Sequence, residues 1–321
     1  MQSPLLLFAL EPDGEFALAL VRALGVALAP HEDRAFEDGE HKWRPLVDPR
    51  GRDCYVVHGL HGGPRDSPHD KLIALLMFVA TLHEHGAARV SAVVPYLAYA
   101  RKDRQTKPFD PVGLRYVAQL FEAVGTDQLI ALEAHNVAAL QNAFRCTTLH
   151  LEAHHAFDGA ADECVRSGAL AVASPDPGGV KRAQLWRESL EERLGRPIGF
   201  AMIDKRRSAG VVSSMNLVAG DVQGMNVLVY DDLIASGETM RRAASALRDA
   251  GARDVVAVAA HGLFVGAATD ALGDPVVSQW VVTDSVPPFR VPPALRSRLR
   301  IVSAAPLFAA AVRACHEAWQ R

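Results

Sequence analysis

The sequence predicts an α/β protein made of two doubly wound parallel-sheet halves related by duplication. Three observations lead to it. Near-continuous apolar strands alternate with amphipathic helices, the pattern of sheets buried on both faces. Residues 125–135 read GTDQLIALEAH and residues 251–261 read GARDVVAVAAH, two stretches of one design. A length of 321 residues accommodates two domains of ordinary size, and no low-complexity linker interrupts it.

The elements follow in order. RVSAVVPYL at 89–97 is a buried strand, and residues 112–124 form an amphipathic helix closed by Gly125. A charged turn leads into the strand that ends in Ala134-His135. The segment TTLHLEAHHAFDGA then gives way to a new helix, which places the domain boundary within 146–160 and the halves at 1–150 and 151–321. In the second half Val227, Leu228 and Val229 form a strand. The helix over 239–250 follows, with Met240, Ala243, Ala244, Leu247 and Ala250 at 3.6-residue spacing. The final stretch, IVSAAPLFAAAVRACHEAWQR, starts as a strand and continues as a helix able to pack back on the first half.

Composition narrows the function classes. Apolar residues make up 49% of the chain and the net charge is −3, which describes a globular protein without the basic excess of a nucleic-acid binder. The first residues carry no basic leader, and Glu11 and Asp13 come too early for a signal peptide. No apolar stretch approaches the roughly 20 residues that span a bilayer, so a cytoplasmic location is expected. Cys54, Cys146, Cys164 and Cys315 are scattered without metal-site spacing, as expected of inert thiols in a reducing compartment.

The run NVLVYDDLIASGET, 226–239, carries the most chemistry. A strand ends in two adjacent carboxylates, Asp231 and Asp232, then passes through a Ser-Gly loop into a helix. Gly237 permits close backbone approach, and free N–H groups at the helix start point at an anion. The Ser236 and Thr239 hydroxyls can donate to the same group, and the acids can take sugar hydroxyls at the strand's carboxyl end. No Gly-Lys-Ser/Thr follows, so this is not a Walker-type loop. The pattern fits a phosphorylated sugar.

Several blocks in order now resemble one family, the ribose-phosphate diphosphokinases. FEDGE at 36–40, PYLAYARKDRQTKP at 95–108, SPDPGGVKRA at 174–183 and DKRR at 204–207 are similar to its motifs. MNLVAGDVQG, the sugar loop, HGLF, VVTDSVP and VSAAPLF follow in the family's order. The resemblance implies two tandem phosphoribosyltransferase-like domains and transfer of pyrophosphate from ATP to ribose 5-phosphate. It implies a homo-oligomer built from dimers, up to a hexamer, with no nucleic acid and no membrane partner.

The resemblance also assigns residues. Asp231 and Asp232 would hold the ribose hydroxyls, and Ser236, Gly237, Glu238 and Thr239 would cradle the 5-phosphate. His135 and Asp176 would hold Mg2+. ATP would be gripped by Arg101, Lys102, Asp103 and Arg104 and, across a subunit boundary, by Phe36, Asp38 and Glu40. Phe36 can stack on adenine, and a guanidinium fork suits phosphate oxygens. Lys205 and Arg207 would be the catalytic cations, on a mobile segment that closes over the transferring group.

Three departures separate the chain from the family pattern. The sugar loop commonly reads Asp-Thr-Gly-Gly-Thr, whereas here it is Ala235-Ser236-Gly237-Glu238-Thr239. Ala235 removes a carboxylate, and Glu238 places a negative charge beside a phosphate, tolerable if its side chain points outward. The metal block reads Glu133-Ala134-His135 instead of Asp-Leu-His, and Lys102 stands where glutamine is common. Residues 58–70 carry extra length, and the loop after Arg207 is shorter. Two alternatives remain open: a non-catalytic regulatory homologue, and a type I phosphoribosyltransferase. The latter has no need of the Phe36 element or of Lys205 and Arg207.

Overall fold

The computed structural model describes residues 5–208 and 211–320, and the side chains of 205–216 are outside it. The chain divides into two compact units, 1–152 together with 303–321, and 153–302. Among the described residues no helix is long and apolar enough to cross a membrane.

The first unit runs β1 (Leu5–Ala9), α1 (Glu15–Leu24), β2 (His31–Ala35), β3 (His41–Pro45), β4 (Asp53–Val57), α2 (Pro68–Glu84), β5 (Arg89–Val94), α3 (Gly113–Ala123), β6 (Gln128–Leu132), α4 (Val137–Ala143) and β7 (Thr147–Leu151). Five strands pair in parallel in the order β1-β4-β5-β6-β7, and β2 and β3 form a separate antiparallel hairpin. Successive residues point to opposite faces of a strand, so both faces must be covered. Phe8, Val56, Ala92 and Ala131 pack beneath Leu75, Val79, Leu114 and Phe121 of α2 and α3. The α2 start is fixed by a reciprocal cap between Ser67 and Asp70, with Pro68 in the first turn, so the extra length at 58–70 ends in a helix-initiating device.

The second unit continues with α5 (Asp158–Arg166), β8 (Leu170–Ser174), α6 (Val180–Leu194), β9 (Gly199–Ser208), β10 (Val211–Ala219), β11 (Asn226–Ile234), α7 (Glu238–Asp249), β12 (Asp254–Gly262), α8 (Ala268–Gly273), β13 (Gln279–Thr283) and β14 (Leu299–Val302). The seven-stranded sheet has the order β10-β9-β8-β11-β12-β13-β14, parallel except for the β9–β10 pair. One face carries Met240, Ala243, Ala244 and Leu247 of α7 against Val227, Val229 and Trp280. On the other, Trp186 of α6 meets Tyr230 edge-on at 4.9 Å. Ala250, grouped with the apolar face by its spacing, is exposed at the helix end, and Ala246 is buried instead.

The last helix, α9 (Ala305–Trp319), belongs to the first unit. Phe308 meets Phe16 of α1 edge-on at 5.2 Å. Asp53, fully buried at the start of β4, takes two bonds from Arg89 (2.8 Å each) and is 2.6 Å from His316 Nδ1 of α9. Arg89 also donates to the Tyr55 hydroxyl and the Cys315 carbonyl, so a buried charge is satisfied from several sides.

Candidate functional site

In the second unit, strand order reverses between β8 and β11: after β8 the chain goes to one side through β9 and β10, then returns to β11 on the other. A crevice at the carboxyl ends of such strands is where ligands enter open α/β sheets. Asp176 follows β8, and Asp231 and Asp232 lie near the end of β11. The reversal therefore brings Asp231, Asp232 and the Asp176 turn to one edge of the same sheet.

Asp232 is buried and Asp231 half-buried, and the Asp232 amide donates to Asp231 Oδ1 at 2.9 Å. Burial, with Asp232 alongside, pushes the Asp231 carboxyl well above the ordinary carboxylate range. Arg182 of α6 opposes that shift: its Nη1 lies 3.2 Å from Asp231 Oδ1 and 3.6 Å from Asp232 Oδ1. In the turn before α6, a Cβ on Gly179 would stand 2.8 Å from Ser174 Oγ, so the Asp176 turn needs glycine there.

Behind the acids the chain turns through Ala235 and Ser236 to Gly237, which has φ +76° and precedes α7. A Cβ on Gly237 would also stand 2.8 Å from Ala271 Cβ, so glycine is required both by conformation and by space. No side chain caps this helix start, which leaves its first N–H groups for a ligand. The Glu238 amide reaches Ser236 Oγ only at 3.4 Å. The Glu238 carboxylate is gripped by Arg241 at 2.9 and 3.0 Å, which holds it below the usual range. Thr239, in the same first turn, is half-buried.

Asp176 organises its own turn, with Oδ1 accepting from the Gly178 and Gly179 amides at 2.9 and 3.2 Å. Lys205 and Arg207 stand on β9, where the backbone pairs Lys205 with Asn216 and Arg207 with Val212. Their side chains lie outside the described residues, as do residues 209–210 and the side chains up to 216, so the segment expected to close over the reacting group is described by backbone alone.

In the first unit, Phe36, Asp38 and Glu40 occupy the exposed tip of the β2–β3 hairpin. Phe36 N–H donates to the Glu40 carbonyl at 2.8 Å, Glu40 N–H donates to Asp38 Oδ1 at 3.1 Å, and Gly39 takes φ +90°. The tip is a defined turn, and the Phe36 ring is 40% exposed, with the Arg34 guanidinium 5.4 Å from its centre. After β5, Arg101 and Arg104 are exposed, whereas Lys102 is tied to Asp110 and to Thr106 Oγ1. Asp103 accepts from Asn136 Nδ2 at 2.7 Å, which links this segment to the turn carrying exposed His135. Glu133 before it is buried and has φ +40°. His135 stands in the first unit and Asp176 in the second.

Two arginines carry local electrostatics that the sequence reading did not assign. Arg182 lies 49 positions before Asp231, so only the general need of two buried carboxylates for a cation pointed to it. Arg241 was visible as the i+3 partner of Glu238, a spacing that pairs side chains on a helix. Burial pushes the Cys54 thiol up to about 12 and those of Cys146 and Cys164 up to about 11, which disfavours their thiolates.

Comparison with known proteins agrees with this geometry. Residues 5–125 match the N-terminal domain of ribose phosphate pyrophosphokinase, and residues 202–319 match the phosphoribosyl synthetase-associated domain. A ribose-phosphate pyrophosphokinase of Gloeobacter violaceus is 34% identical over 97% of this chain and 90% of its own. The Bacillus subtilis protein of that name is 31% identical over 97% and 94%. The crystal structure of phosphoribosylpyrophosphate synthetase from Mycobacterium smegmatis superposes with a TM-score of 0.85 at 31% identity, covering 98% of this chain and 99% of that one. The chain is thus an α/β protein of phosphoribosyltransferase-like fold. It belongs to the ribose-phosphate pyrophosphokinase family, also called phosphoribosyl pyrophosphate synthetases.

Proposed function

We propose that this chain is an active ribose-phosphate diphosphokinase that moves the β,γ-pyrophosphoryl group of ATP to the anomeric hydroxyl of ribose 5-phosphate. The observation that carries the reading is the Asp231–Asp232 pair held by Arg182 beside the uncapped α7 start, at the strand-order reversal. The acids accept the ribose hydroxyls. The amides after Gly237, with Ser236 and Thr239, take the 5-phosphate. Held so, the anomeric oxygen attacks the β-phosphorus in line, the bond from that phosphorus to the α-phosphate oxygen breaks, AMP leaves, and the hydroxyl proton passes to solvent. Lys205 and Arg207 meet the charge that spreads over the phosphoryl oxygens.

ATP is held by Arg101, Lys102, Asp103 and Arg104, and Phe36, Asp38 and Glu40 reach the nucleotide of a neighbouring protomer in a homo-oligomer in the cytoplasm. Asp176 fits Mg2+: among the described residues its second carboxylate oxygen has no partner, and this hard cation takes oxygen ligands while keeping waters. His135 is exposed and offers a nitrogen donor, a softer ligand that suits this ion less well. Bound there, Mg2+ would neutralise the ATP phosphates.

The test is AMP release from ATP and magnesium with and without ribose 5-phosphate. Sugar-dependent AMP together with a phosphoribosyl pyrophosphate product supports the reading. Sugar-phosphate binding without AMP would favour the regulatory homologue. Lys205→Ala should lower kcat by orders of magnitude and leave ATP affinity nearly unchanged.

A further inference from the structure

Glu238 poses an electrostatic problem that the sugar-phosphate reading does not solve. It is the first residue of α7, so its backbone N–H belongs to the set that faces the phosphate while its side chain carries a negative charge. An acid in the first turn favours the empty helix through the dipole, but repels a dianion placed at the same end. A unit charge about 7 Å from a doubly charged phosphate, screened as fully as in bulk water, weakens binding by about tenfold.

Where that charge goes is visible. Arg241, one turn further on, closes a fork on both Glu238 oxygens, Nε to Oε2 at 2.9 Å and Nη2 to Oε1 at 3.0 Å. Its remaining nitrogen, Nη1, lies 3.4 Å from Asp274 Oδ2, on the segment that follows α8. Arg242 adds a contact from Nε to the Glu238 carbonyl at 3.4 Å and to Oε1 at 3.6 Å. The fork ties the carboxylate to the i+3 guanidinium, which sets a positive charge directly against it.

We infer that Arg241 is a positioning residue for the sugar phosphate: it holds the Glu238 carboxylate in a fork and cancels its charge, so that the loop admits a phosphate dianion. The inference rests on reading residues 235–239 as the sugar-phosphate loop. Arg241 touches no substrate in this account. Its effect passes through Glu238 and vanishes when Glu238 is neutral, which a merely structural arginine would not show.

The experiment is calorimetric titration of ribose 5-phosphate into the full chain and into Arg241→Met, Glu238→Gln and the double variant. Methionine and glutamine are good helix formers, and thermal melts check that each variant is folded. Arg241→Met should weaken binding about tenfold at low salt, with a several-fold smaller penalty at about 0.5 M salt, where the Debye length is only a few ångströms. Glu238→Gln keeps the residue-238 amide and removes only the charge, and adding Arg241→Met to it should change the affinity by less than about twofold. A double variant as weak as Arg241→Met, or unaltered binding in Arg241→Met, overturns the inference while leaving the loop reading in place. A native chain that binds no ribose 5-phosphate overturns the loop reading and the inference with it.

Discussion

Replacing Arg182 by methionine tests the centre of the site. Methionine keeps much of the length and apolar stem of arginine but removes the guanidinium 3.2 Å from Asp231 and 3.6 Å from Asp232. Asp231 already has its carboxyl pushed upward by burial and by Asp232, and Arg182 is a cation acting against that push. Without it, the pair retains a proton to higher pH, and a protonated acid is a poorer acceptor for a ribose hydroxyl. A hydrogen bond to a charged acceptor is worth about 1.5–3 kcal/mol, and protonation of the acid forfeits much of it. Asp231 is 18% exposed, so solvent offsets part of that loss, leaving about 2 kcal/mol, or roughly 30-fold in sugar affinity. The assay is initial rate against ribose 5-phosphate from about pH 5.5 to 9, for the native chain, Arg182→Met and Arg182→Lys. KM should rise about 30-fold at neutral pH in the methionine variant, with its acid limb moved to higher pH, and lysine should recover most of the loss. Unchanged KM with an unmoved acid limb would refute the electrostatic argument. So would a fall in kcat alone, because that would place Arg182 on the transferring group and not on the sugar acids.

The stability side of the same pair has a definite sign. A carboxyl raised in the folded chain binds its proton more tightly there than when unfolded. Its contribution is therefore full below the unfolded value and is lost as pH rises through the folded one. Asp231→Asn should accordingly flatten the decline in melting temperature with rising pH above the ordinary carboxylate range, measured by calorimetry. Gly237→Ala should raise KM for ribose 5-phosphate by more than tenfold and destabilise the fold by about 1–2 kcal/mol, since it adds a Cβ at positive φ against Ala271. Far from the site, Asp53→Asn leaves Arg89 with a weaker partner in a buried position, and should cost about 3 kcal/mol, read as a lower denaturant midpoint without loss of sugar affinity.

What the sequence revealed depended on how local the determinants are. The α7 helix and its preceding strand were legible because the apolar period and the Ser-Gly turn lie within one short run. The two Ala-His echoes show where that reading stops. His135 lies beyond the end of β6 and is exposed, whereas His261 is buried within β12, 2.8 Å from Ser285 Oγ. Equal spacing from a glycine does not fix where a strand ends, because ladder partners decide that: β12 is flanked along much of its length by β11 and β13, while β6 pairs with β5 and β7 for only a few residues. The hairpin beneath Phe36 was not read from the sequence: Asp38-Gly39 is a turn signal, but the strands are polar and largely exposed and carry no apolar alternation. The reversal of strand order between β8 and β11, which brings Asp176 and the sugar acids to one edge, is a property of pairing over long separations and left no local mark.

Arginine placement connects these observations. Each carboxylate that the sugar site exposes to danger has a guanidinium assigned to it: Arg182 for Asp231 and Asp232, Arg241 for Glu238. The two pairings differ in what they leave available. Arg182 approaches the acids from α6, is only 14% exposed, and through Nη1 counters the upward push on Asp231. Arg241 occupies both oxygens of Glu238, consuming its acceptor capacity as well as its charge. A carboxylate saturated by a fork is suited to be ignored. On the proposed reading, Glu238 is therefore electrostatically silent beside the phosphate, which is what a loop with Ala235 and Glu238 needs to serve as a phosphate cradle.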